Sequence, residues 1–349
     1  MRFILILCLV TLGFSNPTLA SDDSGASSAG GKVVSHVINS KALKKNMIGI
    51  SHSRNIQVYL PPGYVAADSK DYRVIYYIPQ DKIDLKESGI AKLLDEGIKN
   101  GVISPLIFVA GDFTIEKGFN FWGNNQVVGY WLDHVKDEIV GFVDSQYRTK
   151  KTKEGRGIAG HFLGGYAAMK LAMENPDVFS SLYTFHIVGT STGEYPSRFR
   201  PDWSQIANAT DTSKLTGFAF PFVAMAQAHS PNSEKPPFHA DFMVEEVNGK
   251  VEVMSKNIRK IYENFLIDSS LPEYIDNLKS LKGIKLVWGR WDSNADHVYA
   301  NRKLVMLLTD YGVDHEAIEH NGNGWDYKMT KKGRFYKDML PFFEESLSL

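Results

Sequence analysis

The chain has 349 residues, 43% hydrophobic and 23% charged, a globular composition that allows one large α/β domain or two smaller ones. Its 39 basic and 40 acidic residues leave a formal net charge of -1 at pH 7, which offers no electrostatic footprint for nucleic acid or an anionic membrane. The single cysteine, Cys8, sits so near the N-terminus that the rest of the chain can form no disulfide, thiol nucleophile or cysteine metal site.

The first stretch, "MRFILILCLVTLGF", places one arginine before an apolar run too short for a membrane span. It leads into "SNPTLA", where Ala20 suits a cleavage site, and then into polar "SDDSGASSAGG". Residues 1–20 are therefore expected to be a secretory signal of bacterial type, with an uncleaved anchor as the alternative. The expected location is periplasmic or extracellular. Cys8 follows the bulky Leu7 and comes too early for a lipid-attachment site. Residues 21–40 are expected to form a flexible linker or N-terminal arm, and 41–349 a single domain.

Within that domain, "RNIQVYLPPGY" alternates like a strand and stops at Pro61-Pro62-Gly63. "YRVIYYIP" (72–79) and "SPLIFVAGD" (104–112) are continuous apolar runs, as in strands buried on both faces. "GIAKLLDEGIKNG" (89–101) and "GYWLDHVKDEIVGFVDSQY" (129–147) carry helical spacing. Lys150-Lys151-Thr152-Lys153 is read as a solvated loop. A strand at 156–160, a helix at 164–174, a strand at 181–188, a strand at 284–288 and a helix at 297–311 complete the pattern. Strands alternating with helices predict a mostly parallel sheet covered by helices on both faces. The stretch from about 195 to 280, with its prolines, aromatics and a helix near 254–267, is expected to be an insertion over one end of that sheet.

Residues 157–166, "GIAGHFLGGY", raise the question of chemistry. A strand runs into Gly160-His161-Phe162-Leu163-Gly164 and a helix follows, the setting in which hydrolases place a nucleophile on a sharp G-x-S-x-G turn. Gly160 and Gly164 supply the close approach that such a turn needs. With "VYLPPGY", "FVDSQYRT", "HSPNSEKPPF" and "GRWDSN", this segment resembles the secreted esterase family. That family groups esterase D-like and feruloyl esterases, enterochelin-type esterases and mycolyltransferases. The resemblance runs from about Val58 to the C-terminus and implies an α/β-hydrolase fold with an ancestry in carboxylic-ester chemistry.

Carried over residue by residue, the resemblance implies a degenerate triad. The nucleophile position falls on Phe162, which has no nucleophilic atom. Asp292, in Gly289-Arg290-Trp291-Asp292, matches the acid. The histidine position falls on Asn323, within one residue, and His320 is near in sequence but would need the loop to rearrange. The oxyanion strand ends Pro79-Gln80-Asp81 instead of His-Gly, so Leu163 supplies one backbone donor and the second is in question. Loss of the serine or histidine of a triad costs on the order of a millionfold in turnover. The strained turn at Phe162 is expected either to have relaxed or to be offset by the ring's packing into the cleft.

Other chemistry has weaker footing. The literal G-x-S-x-G at Gly189-Thr190-Ser191-Thr192-Gly193 follows a strand but is followed by prolines 196 and 201, so Ser191 lacks the helix of an elbow. His297 and His315 lack metal-ligand spacing, and Glu87, Asp292 and Asp296 form no recognisable pair, so neither a metal nor another cofactor is expected. Trp122, Trp291 and Trp325 fall in predicted loops near the ligand edge of the sheet. With Gln80, Asp81, Asp292 and Asn323 they would suit an ester, aryl or saccharide-type ligand. Three functions stay open: a non-hydrolytic ligand-binding or interaction protein, a cleft merely plugged by Phe162, and an ester hydrolase or acyltransferase with relocated groups.

Overall fold

The structure is a computed structural model that describes residues 30–116, 118–192, 201–326 and 329–347. The expected signal segment, residues 1–20, lies outside the described residues. Among the described residues, no helix is long and apolar enough to cross a membrane.

Eight strands make the central sheet: β1 (Lys32–Asn39), β2 (Ser53–Leu60), β3 (Val74–Ile78), β4 (Ile107–Gly111), β5 (Arg156–His161), β6 (Ser181–Phe185), β7 (Gly283–Gly289) and β8 (Glu316–His320). Their order is β1-β2-β4-β3-β5-β6-β7-β8. From β4 to β8 every neighbouring pair is parallel, and β2 pairs antiparallel with both β1 and β4. Part of the expected flexible arm is thus a strand. Along residues 32–39 the exposed Lys32, Ser35, Val37 and Asn39 interleave with half-buried positions and the buried Ile38, because an edge strand needs only one face of side chains to be held.

The strands β3 and β4 are buried along their whole length, as their unbroken apolar runs require. Alternate residues feed two cores. Val74, Tyr76 and Ile78 pack with Ile158 and the helix α2 (Leu163–Glu174) on one face. Ile75 and Tyr77 pack with Leu93 and Leu94 of α1 (Ile90–Lys99) and with Leu340 and Phe343 of the C-terminal helix on the other. The predicted helix at 129–147 runs from Trp131 to Gln146 with a π-helical stretch at His134–Ile139 inside it. The segment expected as an insertion holds α3 (Ala219–His229), α4 (Ser255–Phe265) and the antiparallel hairpin Val244–Val247/Lys250–Val253. It has its own small core around Ile206, Val223, Phe238 and Val244. Helix α5 (Ala295–Asp310) follows β7.

Candidate functional site

Parallel strands bring the loops after their C-terminal ends to one edge of the sheet. Gln80 follows β3, Phe162 follows β5, Ser191 follows β6, Asp292 follows β7 and Trp325 follows β8. All five line one cleft of about 450 Å3.

The turn at its floor keeps the geometry of a nucleophile elbow. Phe162 stands at φ 57°, ψ -119°, in the left-handed region that residues with a Cβ avoid. The glycines make this possible. A Cβ on Gly160 would strike the Gly164 carbonyl, and one on Gly164 would strike the Ile78 carbonyl. The turn has therefore not relaxed, and the first of the two expectations for it is overturned. The second fits the observed packing: the half-buried Phe162 ring stacks on Trp325 (centroids 5.4 Å apart, 22° between planes) and meets His297 edge-on at 5.3 Å. Strain of about 1–3 kcal/mol at such a residue is offset in part by this packing, since full burial of a phenylalanine contributes about 1.5–3 kcal/mol and this ring is half-buried.

The oxyanion donor is engaged as well. Leu163 N–H donates to Gln80 Oε1 at 3.0 Å, so a side chain of this protein holds the amide that would meet a developing oxyanion.

Asp292 collects three donors. His186 Nε2 lies 2.7 Å and His297 Nδ1 2.8 Å from Oδ2, and Asn294 N–H donates to Oδ1 at 2.9 Å. Burial pushes this carboxyl up, but the bonds from His186, His297 and Asn294 outweigh it and hold the group ionised, far below the usual carboxylate range. His186 and His297 with Asp292 look like a metal-ligand set, their ligand atoms lying within 4.8 Å of one another. The tautomer argues otherwise. Gly289 N–H donates to His186 Nδ1 at 3.1 Å, so the ring's proton sits on Nε2 and no lone pair faces a metal. Burial lowers the pKa of His186 further, against the opposing effect of Asp292. His297 takes the opposite tautomer. Its Nδ1–H faces the carboxylate and its Nε2 faces Asn294 Nδ2 at 3.0 Å.

A family model described as "Putative esterase" matches residues 49–217. A ferulic acid esterase superposes with a TM-score of 0.61 over 91% of this chain and 99% of its own, at 17% identity. An S-formylglutathione hydrolase from Staphylococcus aureus superposes at 0.58 over 92% of this chain and 100% of its own, at 12% identity. Residues 49–217 thus match the esterase family model, and the chain has the α/β-hydrolase fold. A stretch of 140 residues is also 26% identical to endo-1,4-beta-xylanase Y of Acetivibrio thermocellus, covering 36% of this chain and 12% of that protein.

Within this esterase-family fold, several predicted site residues fall elsewhere. Asn323 does not reach Asp292. It is exposed, and its Oδ1 accepts from Trp325 N–H at 2.8 Å, closing its own turn. His320 ends β8 opposite Gly289, where burial lowers its pKa to about 4, while Asp292 is held by other histidines. Ser191 lines the cleft, but its hydroxyl donates to the Thr192 carbonyl at 3.2 Å, as a turn serine does; Gly193 lies outside the described residues. Asp81 and Pro79 border a smaller neighbouring hollow with Gln80.

Of the three tryptophans, only Trp325 lines the main cleft. Trp122 is 3% exposed and packs against Phe113 and Trp131 in the core, so it is an anchor. Trp291 is 66% exposed and bonds Asn321 on the surface. A loop tryptophan is placed by the packing around it, which loop position alone does not specify. The aromatic wall comes instead from Phe119 and Phe121 and from Phe218, Phe222, Tyr262 and Phe265 of the insertion.

Sequence reasoning missed His186 and passed over His297. The available signal was position: His186 directly follows a central strand, and His297 comes five residues after the acid, on the first turn of α5. His161 was also missed. It is buried, bonds the Gly324 carbonyl at 2.9 Å, and so ties the end of β5 to the loop that carries Trp325.

Asp292→Asn is expected to cost about 3 kcal/mol, because the amide would turn an N–H toward groups that already donate. Urea denaturation at pH 7 measures it. A change under 0.5 kcal/mol, on the order of an ordinary surface substitution, would mean the three bonds do not hold the loop.

Proposed function

We propose that this exported esterase-family protein binds a small ring-bearing ligand, aryl or ester, in the Phe162 cleft without hydrolysing it. The observation that carries the reading is the paired change at the elbow. The nucleophile's strained position holds a packed phenylalanine, and the adjacent oxyanion amide is bonded to Gln80. Neither change by itself requires the other, and together they leave the reaction without an attacking atom at the elbow and with its Leu163 donor already engaged. The wall of aromatic rings favours a flat apolar group over a saccharide, which would need more free hydrogen-bonding groups.

One observation favours a second reading. Asp292 and His297 keep the orientation in which an acid holds the histidine's Nδ1–H, now with a histidine from α5, whose Nε2 would have to exchange Asn294 Nδ2 for a substrate proton. Under that reading a cleft serine would serve as nucleophile in ester hydrolysis or acyl transfer.

Fluorophosphonate labelling of the purified protein separates the two. The expected result is no labelled serine under conditions that fully label an active ferulic acid esterase. A label on Ser191 or Ser293, mapped by mass spectrometry, would overturn the non-hydrolytic reading.

A further inference from the structure

We infer that Gln80 selects the ligand: its amide nitrogen donates to a carbonyl oxygen that the ring-bearing ligand carries. The inference rests on the non-hydrolytic reading of the cleft and adds the group that is recognised beside the ring.

The Gln80 side chain has one end fixed and one end free. Leu163 N–H, on the first residue of α2, can be met only by an acceptor, so the amide oxygen faces it and the nitrogen is turned away. That nitrogen carries two N–H groups, and neither reaches an acceptor among the described residues. Gln80 is half-buried, two residues past the end of β3. It borders both the main cleft and the smaller hollow of about 120 Å3, as do Phe119 and Leu163. The side chain thus stands in the wall between two spaces that a small molecule can enter.

Its position also sharpens the donor. Gln80 Oε1 sits at the N-terminus of α2, a helix of 12 residues whose positive end draws electron density toward that oxygen. The amide nitrogen is left poorer in electrons, and its N–H groups donate more strongly. In effect the Leu163 donor is handed outward through the glutamine to a new point.

An ester carbonyl offers the lone pairs that such a donor requires, while the attached ring lies against Trp325 and the phenylalanines of the wall. The same contact accounts for binding without turnover. A flexible amide at the end of a side chain holds the oxygen of the intact ester, and an interaction made in the ground state gives affinity without rate.

The test is isothermal titration of the full protein with methyl 4-hydroxybenzoate and 4-(methoxymethyl)phenol, which differ only in C=O against CH2. The ester is expected to bind about three- to tenfold more tightly, the worth of one hydrogen bond, and to be recovered intact by chromatography. Gln80→Glu keeps an acceptor for Leu163 N–H but, ionised, has no N–H to give, so it should bring the two compounds to equal affinity. Equal binding of the two by the wild-type protein, or a folded Gln80→Glu variant that keeps the preference, would each overturn the role of Gln80 while leaving the ring-binding reading intact. Failure of both compounds to bind would overturn both. Release of 4-hydroxybenzoate would overturn the non-hydrolytic reading and this inference with it. Trp325→Ala assigns the signal to this cleft: it should weaken both compounds, and unchanged binding would place the site elsewhere and overturn the inference.

Discussion

Gly164→Ala is expected to destabilise the protein by more than about 4 kcal/mol, at the far end of single substitutions. Gly164 is the second residue of α2, and the Cβ it would gain points into the Ile78 carbonyl oxygen at the end of β3. That carbonyl belongs to a buried central strand, paired with β4 and β5, and cannot move aside as a flexible side chain would. The helix would have to lift from the sheet, opening the core that Leu163, Ala167 and Ala168 close. Gly141→Ala is the control. It lies on the exposed face of Val140–Gln146 with nothing within 4 Å of a new Cβ, and alanine there should stabilise the helix by about 0.5–1 kcal/mol. Soluble yield and urea midpoints for the pair decide the matter. A Gly164→Ala protein as stable as wild type would mean that the elbow is not locked by this contact.

A loss of stability between pH 6.5 and 4, beginning before most carboxylates protonate, is the second expected result. Burial lowers the pKa of His161 to about 3, only partly opposed by its bond to the Gly324 carbonyl, and that of His229 to about 4, partly opposed by its bond to the Phe121 carbonyl. The unfolded chain takes up these protons near pH 6.5, where the folded protein does not. Each ring's contribution is therefore complete above that pH and is lost as the pH falls toward the folded value. The slope is up to about 1.4 kcal/mol per pH unit for each ring, about 3 kcal/mol per unit for the two together. His320 shifts in the same sense but is only half-buried, so it adds less. Below about pH 4.5 Glu138 joins them. Burial raises its pKa, but bonds from His134, Ser40 and the amides of Ala42 and Lys41 bring it to about 2. Urea midpoints at pH 7.5, 6 and 5 test the window, and a flat profile over that range would contradict it. His229→Gln, which keeps a donor for Phe121, should remove one proton's share of the slope.

Both results rest on a site that was partly legible in the chain. Gly160, Phe162 and Gly164 could be placed because an elbow is a local device, a strand, a tight turn and a helix within about fifteen residues. Asp292 could be placed because Gly289-Arg290-Trp291-Asp292, just after a late strand, matches the setting of the acid in the family that the chain resembles. The histidine position could not be carried over in the same way, because Asn323 sits in a loop whose turn is closed by its own side chain.

The residues alone determined the alternation of strands and helices, the mostly parallel sheet and the presence of phenylalanine where a nucleophile would stand, since hydrophobic period and glycine spacing act over a few neighbours. The tertiary structure decided which side chains meet. His186 and Asp292 are 106 positions apart, and Gln80 and Leu163 are 83 apart. It also decided that Trp325 faces the cleft while Trp122 is core and Trp291 is surface, and that Phe218 and Tyr262 of the insertion complete the wall. Such convergence follows from how parallel strands gather their loops at one edge, and from packing that no local pattern encodes.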